Sequence, residues 1–323
     1  MKKLLGIMIT IIALQAVFAE SNGAEGQSKD FSITPVLLYE YLRLPDLSVH
    51  SSGEGIIFTK GDFNPPLSED RNSLIIAGIA KQFFIMESDE SNIDLTHDIQ
   101  IMTERKFKKH YFLGVFSSQA EEPISGGLHT FVLGLGYGYE FIRKENISLT
   151  LGVGLGLTDW GIEYSDGKSW PVLPVPIVQL NVETSWLNFN FGILNSVNVG
   201  FTLLPESKVR LTGFLDIDPF GMASIRDLCF DTTLWYRFFS KDSKMGDFMG
   251  IGVGFKNYGF GSVLADKEKS YQIDYLSAYG ILDMSFLKLS GGYTFDGRQT
   301  INGEDIYKLG EGFFVSAMLG WQF

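Results

Sequence analysis

The residues with chemical capacity are few and scattered. Four histidines (His50, His97, His110 and His129) and one cysteine, Cys229, stand in a chain of 323 residues. A zinc site takes three or four ligands, and neither HExxH nor a paired-histidine spacing occurs. A lone cysteine excludes an internal disulfide framework and any CxxC metal or redox site. With only Asp227 and Asp231 nearby, and no base or second thiol, Cys229 reads as a packed, inert thiol. Ser125 and His129 come nearest to a nucleophile and its base, but no third member accompanies them. His97 shares a strand face with Ile93, Leu95, Ile99 and Ile101, which suits a neutral histidine better than a ligand. Asp216 and Asp218 fall well short of the six to eight oxygens that calcium takes, and read as a solvated rim. Three glycine runs, starting at Gly134, Gly152 and Gly250, suggest phosphate loops, yet none matches GxGxxG and none precedes a helix. No catalytic, cofactor or metal residue is therefore assigned, and the chain is expected not to be an enzyme.

The glycines belong to a different pattern. Over 146–158 the residues Ile147, Leu149, Leu151, Val153, Leu155 and Leu157 alternate with Ser148, Thr150, Gly152, Gly154 and Gly156. A helix cannot segregate faces at a spacing of two, whereas a strand must. The same alternation runs through 131–141 (Leu133, Leu135, Tyr137, Tyr139, Phe141) and 247–257 (Met249, Ile251, Val253, Phe255). Weaker versions occupy 93–103, 186–195, 207–217, 270–281 and 285–295. The segments 31–42, 72–85, 107–117, 172–183, 196–204, 226–240 and 311–323 complete the set, with a fainter one at 49–59. Turn residues such as Ser165-Asp166-Gly167 and Asp296-Gly297-Arg298 separate them. The glycine rows are expected to give room, letting the wall curve, or a neighbouring aromatic or a loop approach closely.

Strands of a soluble sandwich run about 5–6 residues. These run nearer ten, the length a tilted strand needs to cross a bilayer. Residues 1–19 read as a secretory signal peptide: Lys2 and Lys3, an apolar run from Leu4 to Phe18, and Val17-Phe18-Ala19 as a cleavage pattern. No later stretch of about 18 apolar residues offers a membrane helix. A net charge of −12 argues against a nucleic-acid partner. In lipid a sheet must close on itself to satisfy its edges, so residues 20–323 are expected to form a single outer-membrane barrel domain. The last strand puts Phe313, Val315, Ala317, Leu319, Trp321 and Phe323 on one face.

In its signal peptide, its alternating strands and that final strand, the chain resembles bacterial outer-membrane β-barrel proteins as a class. The resemblance implies localisation in the bacterial outer membrane and contact with its lipids. It also implies recognition by the barrel-assembly machinery through Phe313, Val315, Leu319, Trp321 and Phe323.

An all-β transmembrane antiparallel barrel of 14–16 strands is expected. Sixteen follows if 49–59 is a strand; fourteen follows if 186–204 is one strand and 49–59 a loop. The stretch 43–71, with Pro45, Pro65 and Pro66, reads as a loop or a partial inward plug. Outer loops are expected at 86–92, 118–127, 159–171, 218–225, 259–269 and 296–310, and periplasmic turns at 104–106, 143–145, 184–185, 205–206 and 241–246. The tryptophans 160, 170, 186, 235 and 321 suit interfacial girdles.

Opposite the apolar faces lies the expected lumen lining: Asp94, Asp98, Gln100, Glu140, Asn188, Asn190, Lys208, Arg210, Asp216, Lys256, Asp274 and Lys288. Such a set lines a pore for ions and small solutes, or pairs across a filled barrel. The leading expectation is a passive, porin-like channel. The alternatives are a filled barrel acting through its outer loops and, more weakly, a lipid-modifying hydrolase built on His129.

Overall fold

A computed structural model describes residues 31–45, 48–60, 70–86, 95–123, 127–159, 171–193, 196–217, 228–239, 249–264, 269–284, 286–301 and 304–320. The alternating segments become strands. The first eight are β1 (Phe31–Arg43), β2 (Ser48–Lys60), β3 (Asp70–Met86), β4 (Leu95–Phe107), β5 (His110–Ala120), β6 (Val132–Lys144), β7 (Ile147–Leu157) and β8 (Val172–Glu183). There follow β9 (Leu187–Ile193), β10 (Val197–Leu203), β11 (Val209–Ile217), β12 (Leu228–Arg237), β13 (Met249–Leu264), β14 (Lys269–Met284), β15 (Leu287–Ile301), β16 (Glu304–Leu309) and β17 (Gly312–Gly320).

Neighbouring strands pair antiparallel, and β1 pairs with both β17 and β2, so the wall closes with sixteen strands. The short β16 only extends β15 at one end, where Ile301 faces Glu304 and Gly297 faces Leu309. Closure leaves no edge strand to satisfy.

The fourteen-strand reading is corrected. β9 and β10 are separate antiparallel partners, with Phe191 opposite Val199. The stretch 43–71 is no plug over its strand portion, because β2 lies in the wall and pairs along its length with β3. Residues 61–69 lie outside the described ones. β16 falls inside the stretch expected to be the outer loop 296–310.

Burial is inverted relative to a water-soluble fold. On β6 and β13 the large apolar residues face outward, with Leu135 64% and Val253 62% exposed, while Ser117, Thr150, Thr233, Ser277 and Thr294 are buried. In water so broad an apolar exterior would be an aggregation surface; in a bilayer it is the contact surface. Exposed aromatics gather where short turns join the strands: Phe107, Phe141, Trp186, Phe238 and Phe286.

The glycine rows let side chains cross the strand between them. Ile177 of β8, fully buried, reaches over Gly154 of β7 toward Gly136 of β6. Gln179 likewise donates to the Tyr111 hydroxyl at 2.9 Å. On β13, Gly250 lies between Arg237 and Asp283, whose charged groups meet at 3.4 Å. Gly254 lies between Thr233 and Tyr279, whose hydroxyls are 2.5 Å apart. A methyl group at Gly254 would stand 2.7 Å from Tyr279 Cζ and 2.7 Å from the Thr232 carbonyl oxygen. Gly254→Ala is therefore expected to lower stability by about 1–3 kcal/mol through overpacking. The urea midpoint of the folded barrel measures it, and an unchanged midpoint would refute the spacer role.

Two features narrow the interior toward the end that carries the β5–β6 and β13–β14 connections. Ala120 of β5 pairs in parallel with Val263 of β13, although these strands lie on opposite sides of the ring. Leu42, Leu44, Val49, Ile273, Tyr275, Leu309 and Phe314 pack as a buried apolar cluster at β1, β2, β14, β16 and β17.

Candidate functional site

A cavity of about 580 Å³ lies in the other part of the interior. Its lining comes from strands β1, β9–β15 and β17, and the pairing registers arrange that lining in level rows. One row runs Asn190, Gly200, Phe214, Asp231, Lys256, Ser277. The next, two residues along each strand, runs Asn188, Thr202, Thr212, Thr233, Gly254, Tyr279. A third holds Arg210, Trp235, Gly252, Ile281 and Ser290. Strand pleating keeps each row on the inner face.

The polar groups here are tied to one another. Asp231 Oδ1 accepts from the Tyr279 hydroxyl at 2.5 Å, and the Thr233 hydroxyl lies 3.0 Å from the same oxygen. Lys256 Nζ sits 4.7 Å from the Tyr279 ring centre and 4.9 Å from that of Phe314, a cation held against two aromatic faces. Trp235 Nε1 donates to Thr212 Oγ1 at 3.0 Å, and the Arg237 guanidinium covers the indole at 4.3 Å. The result is a cavity wall with fixed donors, acceptors and charges, and a 46% exposed aromatic, Phe214, among them.

Of the residues expected to line the lumen, Asn188, Asn190, Lys256 and Lys288 border this cavity. Arg210 and Asp216 share the β11 face of Thr212 and Phe214, with the Arg210 Nε donating to the Ser207 carbonyl at 2.9 Å. Asp98 and Gln100 share the β4 face of the buried Glu104 and Lys106 but do not border the cavity. Glu140 is on the interior but engaged: Lys106 Nζ lies 2.7 Å from its Oε1 and Arg143 Nε lies 2.8 Å from its Oε2. Lys208 lies in the exposed turn before β11. Asp274 is corrected, because it takes the β14 face opposite the buried Ile273, Tyr275 and Tyr279. Asp94 lies outside the described residues.

Trp235 is not a girdle residue. It is 8% exposed and borders the cavity, whereas Trp186 is outward and exposed. Trp160, Trp170 and Trp321 lie outside the described residues, as do Ser125 and Phe323. His129 sits in a single 3-10 turn, Leu128–Thr130, and the Cys229 thiol is half-buried on β12. Among the described residues no group of three or more His, Cys, Asp or Glu side chains is placed to hold a metal ion.

Phe214, Asp231, Thr233 and Tyr279 escaped the sequence reading. The alternation Asp231, Thr233, Trp235, Arg237 against Phe230, Leu234, Tyr236 was a usable signal for β12. For Phe214 and Tyr279 there was none, because each is apolar or aromatic on a face expected to be polar.

No family model and no curated protein matches the chain. Solved structures similar to it include OccAB3 of Acinetobacter baumannii, with a TM-score of 0.39, 8% identity, and coverage of 91% of this chain and 99% of that one. The Pseudomonas aeruginosa outer membrane protein OpdK superposes with a TM-score of 0.38 at 8% identity, covering 92% of this chain and 100% of that one. OpdQ of Pseudomonas aeruginosa gives 0.35 at 11% identity, covering 92% and 99%. Superpositions this loose carry no functional argument, which rests on the geometry of the chain itself.

Proposed function

We propose that the protein is a bacterial outer-membrane barrel that passes small solutes passively through its interior cavity, with no catalysis. The observation that carries this reading is the inversion of the wall: apolar side chains outside, and inside a cavity of about 580 Å³ where asparagines, threonines, serines, lysines and Asp231 stand among apolar and aromatic side chains. Lipid satisfies the first surface and water with dissolved solute the second. The aromatic residues beside the short turns anchor one interface. The outward Phe313 and Val315 of β17, with Leu319, Trp321 and Phe323, serve the barrel-assembly machinery in this reading.

Refolded mature chain in a planar bilayer should give reproducible single-channel steps. A folded barrel without steps would overturn the channel.

A second reading has a specific observation behind it. The β5–β13 pairing and the apolar cluster narrow the end opposite the short turns, as in a filled structural barrel. If the conduction path runs through that end, the contact must part. Ala120→Cys with Val263→Cys, in a Cys229→Ser background, tests this. Disulfide formation is expected to remove most of the current, and reduction to restore it. A current indifferent to the cross-link would show that the path avoids this contact.

A further inference from the structure

We propose that the cavity binds a neutral sugar ring at the level of Asn188, Asn190, Phe214 and Asp231. The inference rests on reading the cavity as a solute path, and it names what that path recognises.

Phe214 stands on the inner face of β11 and presents its ring to the cavity, half-exposed, in a row that is otherwise polar. Its neighbour at the same level is Gly200, which has no side chain to cover it. Beyond Gly200, the Asn190 amide leans across the vacant position, so that a Cβ there would lie 2.5 Å from Asn190 Oδ1 and 2.8 Å from Nδ2. Asn188 projects into the same cavity one row along. Neither amide hydrogen-bonds another protein group among the described residues. Each offers a donor and an acceptor side by side, the pattern that vicinal hydroxyls match.

On the other side of Phe214 stands Asp231. The Tyr279 hydroxyl donates to its Oδ1 and the Thr233 hydroxyl lies 3.0 Å from the same oxygen, which orients the carboxylate and leaves Oδ2 as an acceptor for a ligand hydroxyl. Its charge is offset by Lys256, its partner at the same level on β13. That lysine is itself held over two aromatic rings.

An apolar ring face, two amides, one oriented carboxylate and balanced charge are complementary to a solute with C–H bonds on one face and hydroxyls around its edge. A carboxylate solute would meet Asp231 beside Phe214, and a cation would meet Lys256. A pyranose meets neither penalty.

The full folded chain in detergent supplies the test, with Trp235 at the cavity wall as reporter and calorimetric titration as a second readout. Maltose should give a saturable change. Phe214→Leu and Asn190→Ala should each raise its midpoint about tenfold, the loss of one well-placed contact. Glucuronate, the same ring with a carboxylate, should bind more weakly than glucose. Heat-modifiable migration on gels confirms that each variant is folded. No saturable response in folded wild type, unchanged midpoints in both variants, or tighter binding of glucuronate would each overturn the site. Conductance separates this inference from the channel itself. Steps without maltose affinity would leave the path and remove the site; maltose affinity without steps would keep the site and remove the path.

Discussion

Val253→Lys should prevent most of the protein from folding into lipid vesicles, while Thr212→Lys should leave insertion nearly unchanged. Val253 is the centre of the outward run Ile251, Val253, Phe255 on β13, and 62% of it is exposed. Thr212 borders the cavity. A lysine on the lipid face near the bilayer midplane costs about 2–4 kcal/mol, and one facing an aqueous lumen costs far less. The folded fraction, read as the heat-modifiable band after refolding into vesicles, measures both. Equal behaviour of the two variants would mean that the exposed apolar band does not meet lipid. In a water-soluble barrel the order would reverse, since Val253→Lys would only replace an exposed apolar side chain with a charge.

Glu140→Ala should be the most destabilising single change in the described interior. Glu140 is 1% exposed and lies within 2.8 Å of two cations, Lys106 and Arg143. Lys106 is itself buried, so removing the carboxylate strands a positive charge away from water. Breaking a buried pair from one side costs about 3–5 kcal/mol, because the remaining charge keeps its desolvation penalty. The double variant Lys106→Met, Glu140→Leu should recover most of that loss, because it removes both charges and keeps the volume. Urea titrations of the three proteins in one detergent decide the matter. A wild-type midpoint for Glu140→Ala would show that the ion pair does not brace β4 to β6.

Both predictions depend on knowing which face of a strand looks inward, and that was largely legible. Pleating forces residues two apart onto one face, so the runs on β6, β7 and β13 announced a strand and two unlike faces at once. Where the two faces meet different solvents, hydrophobicity separates them, and Leu135, Val153 and Val253 point outward as expected. The rule failed where the interior is itself dry. On β14, Ile273, Tyr275 and Tyr279 pack inward with Leu42, Leu44 and Phe314. An apolar side chain there no longer marks the lipid face, and Asp274 was assigned to the lumen in error. Trp235 misled for a related reason: an indole suits an interface, but it equally suits a lumen wall where Thr212 accepts its N–H and Arg237 covers its face.

The sequence by itself determined most of the strands, their alternation, the antiparallel order with turns at alternate ends, and the rows of glycine on one face. These are local properties, set by backbone geometry over a few residues. Only the tertiary structure decided which residues of different strands stand level. Asn190, Phe214, Asp231 and Lys256 lie on four separate strands, spread over more than sixty positions of chain, and become one row through the registers of four pairings, by way of Gly200 on β10. Register depends on how far each strand slides as the sheet closes, and a slide of two residues leaves every face unchanged while replacing every neighbour across the ladder. The meeting of β5 with β13 has the same origin, since no local signal tells two strands half a ring apart that their ends will touch.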